Sequence, residues 1–318
     1  MAGNLIALFF VGLVALAAVY RFLPGLVFDF SIKLVQLRAG LAKKTILVNE
    51  QPITYFIGGT GKPLLLLHGF GADKTNWLMI APHLVEKYQL IIPDLPGFGE
   101  SPFLPAKTYS VAGQIDTLER FVKKLGLNEI HLAGNSMGGY LAAKLAEQLG
   151  GDVESVWLLA PAGVTTDTQA EGIALIESGD NPLIIETEAA FDRLVELCFE
   201  TPPPTPQAIR TYLFKKAKER ADINRKLFAG LIGGEDIPDE NPLKLEDCIA
   251  KVPGKVLVVW GDKDRILHPD GLGVLVEKLR ETGGPHEGIL MSDMGHIPMV
   301  ERPKETASDF LRFVSENS

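Results

Sequence analysis

Ser136 stands in the segment Gly134-Asn135-Ser136-Met137-Gly138-Gly139, the first place where this chain offers covalent chemistry. A Gly-x-Ser-x-Gly turn between a strand and a helix lifts a serine hydroxyl to the end of a sheet, as a nucleophile elbow. The flanks fit. Ile130 to Ala133 reads as a short buried strand, and Tyr140 to Ala146 is built of strong helix formers. The serine of such a turn is strained, so its neighbours must lack side chains for strand and helix to approach. A serine nucleophile needs a base, and the base needs an orienting carboxylate. Both come later in the chain. The apolar run Lys255 to Trp260 leads into Gly261-Asp262-Lys263-Asp264, and Gly288 to Met291 leads into Ser292-Asp293-Met294-Gly295-His296. Each candidate lies just past a predicted strand, where open α/β sheets place their ligands. Asp264 is favoured over Asp262 as the acid, because the strand is expected to end near Trp260 and Asp264 reaches farther past Gly261.

Of six histidines, His296 alone follows the last predicted strand. His131 falls inside a predicted strand and reads as a core histidine. His83, His268 and His286 read as ordinary loop or helix residues. Attack on an ester carbonyl creates an oxyanion, which needs preorganised N–H donors. One expected donor is the Met137 amide, next to the serine. The other is the Phe70 amide, in the turn His68-Gly69-Phe70-Gly71 that follows the apolar run Pro63 to Leu67. His68 reads as a brace for that turn. Asp94, which precedes the serine in the chain, reads as structural.

The elements that would position these groups alternate. Thr45 to Val48 and Ile53 to Ile57 flank Asn49-Glu50 as an opening hairpin. Strands are expected near Leu64, Ile91, Leu132, Val156, Val258 and Leu290. Helices are expected over Leu78 to Tyr88, Val111 to Leu125, Ser136 to Leu149, Pro269 to Glu281 and Pro303 to Val314. Such alternation predicts an α/β fold, a mostly parallel sheet with helices on both faces. One connection, between Ala160 and Val256, runs about ninety residues and is too long for a simple crossover. It carries helical patterns at Thr187 to Phe199, Thr205 to Glu219 and Asp222 to Ile232, and should form a helical cap over the serine. The expected division is therefore a catalytic core over 44–162 and 251–318, interrupted by the cap over 163–250. Apolar cap residues such as Phe191, Leu194 and Phe228 either line an acyl pocket or hold the cap helices together.

Composition narrows the class. Apolar residues make up 46% and charged residues 22%, ordinary for a globular protein. The net charge of −9 argues against nucleic acid as a partner. The two cysteines, Cys198 and Cys248, fit a reduced or cysteine-indifferent setting better than a disulfide scaffold. No cluster has metal-ligand spacing, no phosphate-cradling loop opens a helix, and no cofactor or obligatory protein partner is implied.

Met1 to Tyr20 contains no charged side chain, and about 20 apolar residues suffice to span a bilayer. A cleaved signal peptide ending near Ala15-Leu16-Ala17 is the rival. No Lys or Arg precedes the apolar run, which favours a retained single-pass anchor over residues 1–22. Arg21, Lys33, Arg38, Lys43 and Lys44 then outnumber Asp29, so the positive-inside rule puts the rest of the chain on the cytoplasmic face. Within 23–43, Val27, Phe30, Leu34, Leu37 and Leu41 recur every three or four residues. They read as an amphipathic helix that lies in the membrane interface or packs on the catalytic domain.

His68-Gly69-Phe70, Asp94-Leu95-Pro96-Gly97, the serine segment, Gly261-Asp262-Lys263-Asp264 and Gly295-His296 together resemble the α/β-hydrolase family. The resemblance runs from Ile46 to Val314 and is narrower still towards membrane-anchored monoacylglycerol lipases and their bacterial esterase and lipase relatives. Lys74 to Leu78, Pro161-Ala162-Gly163 and Glu301-Arg302-Pro303 add to it. It implies an eight-stranded α/β-hydrolase sheet and a serine hydrolase acting on carboxylic esters, monoacylglycerols or other lipid esters. Ser136, Asp264 and His296 would be the triad, with Phe70 and Met137 holding the oxyanion. The serine segment also looks like that of carbon–carbon bond hydrolases of aromatic degradation. Those carry a tryptophan just after the histidine, where this chain has Ile297-Pro298. A ligand-binding member without catalysis is the non-enzymatic alternative.

Overall fold

The apolar runs of the sequence become the middle of one sheet in the computed structural model, which describes residues 22–233 and 244–317. Eight strands pair in the order β1-β2-β4-β3-β5-β6-β7-β8. They are β1 (Ala42–Val48), β2 (Gln51–Gly58), β3 (Lys62–Leu67), β4 (Tyr88–Pro93), β5 (Ile130–Asn135), β6 (Val153–Leu159), β7 (Lys255–Gly261) and β8 (His286–Met291). The first two form an antiparallel hairpin whose turn residues, Asn49 and Glu50, take φ of 45° and 65°, as a two-residue hairpin turn demands. β2 pairs antiparallel with β4, and every later pairing is parallel.

The central strands are continuously apolar because both faces of the sheet are covered. Leu65, Leu67, Ile91, Leu132, Val156, Leu158 and Val258 join one core. That core is closed by α2 (Val111–Leu125), α3 (Met137–Leu149) and α9 (Asp270–Thr282). The alternate residues Leu64, Leu66, Leu90, Ile92, Trp157, Leu159, Leu257 and Val259 build the opposite core. It is closed by α10 (Pro298–Glu301) and α11 (Pro303–Glu316). A period of two along each strand thus serves two helical layers.

The helix expected over Leu78 to Tyr88 is instead a single 3-10 turn, Ala81–His83, preceded by another at Lys74–Trp77, and Tyr88 already begins β4. Pro82 supplies no N–H within that stretch, so a continuous α-helical ladder is interrupted there. The Asp73 side chain caps the first turn by accepting from the Thr75 amide. Among the described residues of the long connection after β6 lie α4 (Glu171–Glu177), α5 (Glu188–Cys198), α6 (Gln207–Glu219) and α7 (Ala221–Ile232). A short helix, α8 (Leu245–Ile249), leads back towards β7. Periodicity does not reveal α4 and α8, since seven and five residues are too few to establish one.

The segment before β1 forms α1 (Pro24–Arg38), begun by a proline that needs no N–H partner in the first turn. The Met1 to Tyr20 run lies outside the described residues. Among those described, no helix is long and apolar enough to cross a membrane. The expected stripe on α1 is shifted. Phe30, Leu34 and Leu37 are exposed with Leu23 and Leu26, whereas Leu41 lies beyond the helix and is buried.

Candidate active site

Ser136 sits between β5 and α3 with φ 55° and ψ −122°, a strained conformation for a residue with a side chain. Its backbone is held on several sides. The Ser136 N–H donates to Leu159 O at 3.0 Å, and its own carbonyl accepts from Gly139 and Ala162. The glycines around it are sterically required: a Cβ on Gly134 would collide with the Gly138 carbonyl, and one on Gly138 with Leu67 O. The expected strand-turn-helix context is therefore present in full.

His296 and Asp264 come from the loops after β8 and β7. His296 Nδ1 lies 2.7 Å from Asp264 Oδ2, and the two residues are only 4% and 5% exposed. Asp264 is fixed from its other oxygen, which accepts the amides of Ile266 at 2.9 Å and Leu267 at 3.0 Å. Asp262 is placed elsewhere. Its Oδ1 accepts from the Met294 amide at 3.3 Å and its other oxygen faces Lys263, so it braces the histidine loop from outside. An imidazole whose Nδ1 meets a buried carboxylate presents Nε2 for proton transfer.

Ser136 and His296 share no direct side-chain hydrogen bond; such catalytic contacts often tighten only around the substrate. Asn135 links their loops. Its Nδ2 donates to His296 O and to Leu159 O, both at 3.0 Å, so the variable residue of the elbow ties the serine turn to the histidine loop. The His296 amide donates to Cys198 O at 2.8 Å, which fastens the same loop to the end of α5. Glu301 reinforces this seam by accepting the amides of Glu200 and Thr201. The acid loop is tied to the inserted helices as well, through Arg265 to Glu171 at 2.7 Å and to Glu196 O. No sequence pattern marks Asn135, Glu301 or Arg265 for such a role. Asn135 reaches His296 across 161 residues, and the partners named for Glu301 and Arg265 lie 69 to 101 residues away, so nothing local announces them.

The turn after β3 lies beside the serine. A Cβ at Gly69 would sit 3.3 Å from Ser136 Cβ, so glycine lets the two loops meet. Among the described residues neither the Phe70 amide nor the Met137 amide has an acceptor, which leaves both donors available. The Phe70 ring packs edge-on against Phe98 at 5.4 Å and Phe228 of α7 at 5.5 Å. His68 is fully buried, and that burial pushes its pKa down. Its Nδ1–H donates to Gly69 O at 2.8 Å while Nε2 accepts from the Leu95 amide at 3.0 Å, fixing one neutral tautomer as a brace.

Asp94 is locked away from chemistry. Its carboxylate accepts from the Lys74 amide, the Lys74 ammonium at 2.6 Å and the Glu100 amide. Burial alone would lower the Lys74 pKa, but Asp94 and Glu100 outweigh it and hold the ammonium above its usual value. Both cysteines are buried free thiols; burial raises Cys198, and Cys248 is pushed up to about 12. Among the described residues no group of three acidic, histidine or cysteine side chains could hold a metal ion.

Comparison with known proteins agrees with the fold. Residues 62–200 match the model of the alpha/beta hydrolase fold. The chain is 35% identical over 255 residues to lipase 3 of Moraxella sp. (strain TA144), covering 80% of this chain and 78% of that one. It is 28% identical to the human monoacylglycerol lipase ABHD6, over 87% of this chain and 84% of the relative. The crystal structure of a membrane phospholipase A, described as a bacterial virulence factor, superposes with a TM-score of 0.87 at 34% identity. The match covers 99% of both chains.

Proposed function

Since the chain belongs to the α/β-hydrolase family of lipases and is a carboxylic ester hydrolase, we propose that it cleaves monoacylglycerols or related lipid esters through an acyl-enzyme on Ser136. The observation that carries this reading is the buried 2.7 Å contact between His296 and Asp264 beside a strained serine turn. Ser136 Oγ attacks the carbonyl carbon while His296 Nε2 takes its proton. The Phe70 and Met137 amides hold the oxyanion, and collapse of the intermediate expels the alcohol, protonated by His296. Water then repeats the sequence on the acyl-enzyme and releases the fatty acid. Asp264 keeps the imidazole in the tautomer that accepts at Nε2 and stabilises its cation. No step calls for a cofactor.

In this reading α4 to α7 form the cap, over 163–250, and the catalytic core comprises 44–162 and 251–318. Phe70 against Phe228 supports it, because that contact sets the cap beside the oxyanion turn. Met1 to Tyr20 serves as a single-pass anchor, with the catalytic domain on the cytoplasmic side, as the basic residues from Arg21 to Lys44 suggest. Tethering concentrates the enzyme where its insoluble esters reside. The test is a substrate profile. Medium-chain monoacylglycerols and activated esters should be hydrolysed, and vinylogous diketones from aromatic ring fission should not. Efficient diketone cleavage with negligible esterase activity would assign the site to carbon–carbon bond hydrolysis.

A further inference from the structure

Helix α1 turns a row of large apolar side chains to solvent. Leu23, Leu26, Phe30, Leu34 and Leu37 follow one another every three or four residues, and Leu26 and Phe30 are 61% and 69% exposed. A monomeric surface rarely gathers so many large apolar groups in one line unless something docks there. The opposite side of the helix is already occupied. The Phe28 ring lies 5.9 Å from that of Tyr212 on α6, whose hydroxyl donates to Asp29 at 3.4 Å. A side chain at Gly25 would run into the same tyrosine ring, and Ile32 and Val35 pack on the core beneath the sheet.

We propose that the outer face of α1 docks on a lipid bilayer, in the plane of its interface, and seats the inserted helices against that surface. The proposal extends the lipid-ester reading, from which it takes its purpose but not its test. Charge favours lipid over a second copy of the chain. At the helical rotation of about 100° per residue, Lys33 and Arg38 fall on opposite edges of the row. Lys44 follows on the exposed start of β1, beside Lys43, whose ammonium is paired with Glu100 at 2.9 Å. Anionic headgroups would meet Lys33, Arg38 and Lys44, whereas two copies facing one another would bring those cations together, with Asp29 the one acidic side chain of α1 to set against them. The uncharged run Met1 to Tyr20 precedes the helix by a few residues and delivers it to the same surface.

Docking there has a structural consequence. α6 rests on the inner side of α1, Arg210 of α6 pairs with Asp192 of α5, and the end of α5 holds the His296 amide through Cys198 O. A lipid-bound α1 is thereby connected to the histidine loop through two packed helices. Lipid contact fixes the orientation of the cap relative to the bilayer from which the substrate comes.

The experiment uses the full chain reconstituted in vesicles of phosphatidylcholine with phosphatidylglycerol. Phe30→Cys and, as a control, Leu290→Cys on β8 are labelled with an environment-sensitive fluorophore. Cys198 and Cys248 are buried, so labelling is selective. The label at position 30 should shift to the blue and be quenched by lipid-borne nitroxide, while that at 290 should respond only to aqueous iodide. In parallel, Leu26→Asp with Phe30→Asp should lower hydrolysis of vesicle-borne monoacylglycerol by on the order of tenfold or more and leave a soluble short-chain ester unaffected. Equal iodide quenching at both positions would overturn the proposal. So would shielding at position 30 that vanishes when the protein is diluted within the membrane, since a second copy would then be the occupant. The fluorescence result stands whether or not any ester is cleaved, so it is separable from the catalytic assignment.

Discussion

A buried histidine lies beside each end of β5, next to a hydroxyl or a carboxylate, yet the two ends differ in every property that catalysis needs. At the lower end His131 Nδ1 meets Ser155 Oγ of β6 at 2.7 Å, packed between Tyr88 and Phe310. Burial pushes its pKa down to about 4. No carboxylate bonds to its ring, because Glu154 is drawn off to Lys62. A cleft of about 360 Å³ opens at this end, lined by Lys62, Tyr88, His131 and Lys255 among others. At the upper end the strand runs into the strained Ser136, and the histidine brought beside it has a buried carboxylate on Nδ1. A concave surface and a serine–histidine contact are therefore insufficient. An uncompensated imidazole resists the positive charge that a general base must accept. Ser155 lies within β6, paired with His131 of β5 just past a register shift and with Lys255 of β7, rather than at a turn that exposes amides to an oxyanion.

The largest effect should come from the upper end. Ser136→Ala or His296→Ala should lower ester turnover by about a thousandfold or more with the fold intact, while Ser155→Ala should leave turnover within a few fold. Turnover assays alongside circular dichroism check this, and equal losses at the two ends would erase the distinction. Next, Asp264→Asn should cost on the order of a thousandfold or more by favouring the wrong tautomer, and Asp262→Asn far less. Reversal of that order would move the acid by two residues. A smaller change is expected for Asn135→Ala, which cuts the link between the serine turn and His296 O. A loss of about tenfold in kcat with KM little changed is expected, read from steady-state kinetics.

The smallest effect belongs to the lower end and is one of stability. His131 is held neutral in the folded chain, so the unfolded chain binds the extra proton between pH 6.5 and about 4. Stability due to this group is complete above pH 6.5 and is lost as the pH falls towards 4. The loss is at most about 3 kcal/mol, from a shift of about two and a half pKa units. His131→Asn should flatten that part of the acid limb in denaturant titrations run from neutral pH into the acid range. An unchanged limb would mean that His131 titrates normally.

Much of the upper end was legible because its demands are local. A strained serine needs glycines within two residues, and loops that follow apolar strands show where a histidine and an acid can stand. Gly134, Gly138, Asp264 and His296 all announce themselves in this way, and the sheet follows from runs such as Leu64 to Leu67. The unreadable features are those made by distant chain segments. Asn135 reaches His296 across 161 residues, and Arg265 reaches Glu196 across 69. The stretch from Leu78 to Tyr88 looks helical in composition, yet Pro82 and the start of β4 at Tyr88 leave it only the short turn Ala81–His83. On α1 the periodicity of apolar residues was visible. Which side Tyr212 would cover was not, because α6 lies far along the chain.

The most direct test of the account is to trap the nucleophile. Fluorophosphonate labelling of the full-length protein, followed by peptide mass spectrometry, should give a single adduct on Ser136. The adduct should be absent from Ser136→Ala and slowed by orders of magnitude in His296→Ala. An adduct on another serine, or undiminished labelling of the Ser136→Ala protein, would contradict the central claim.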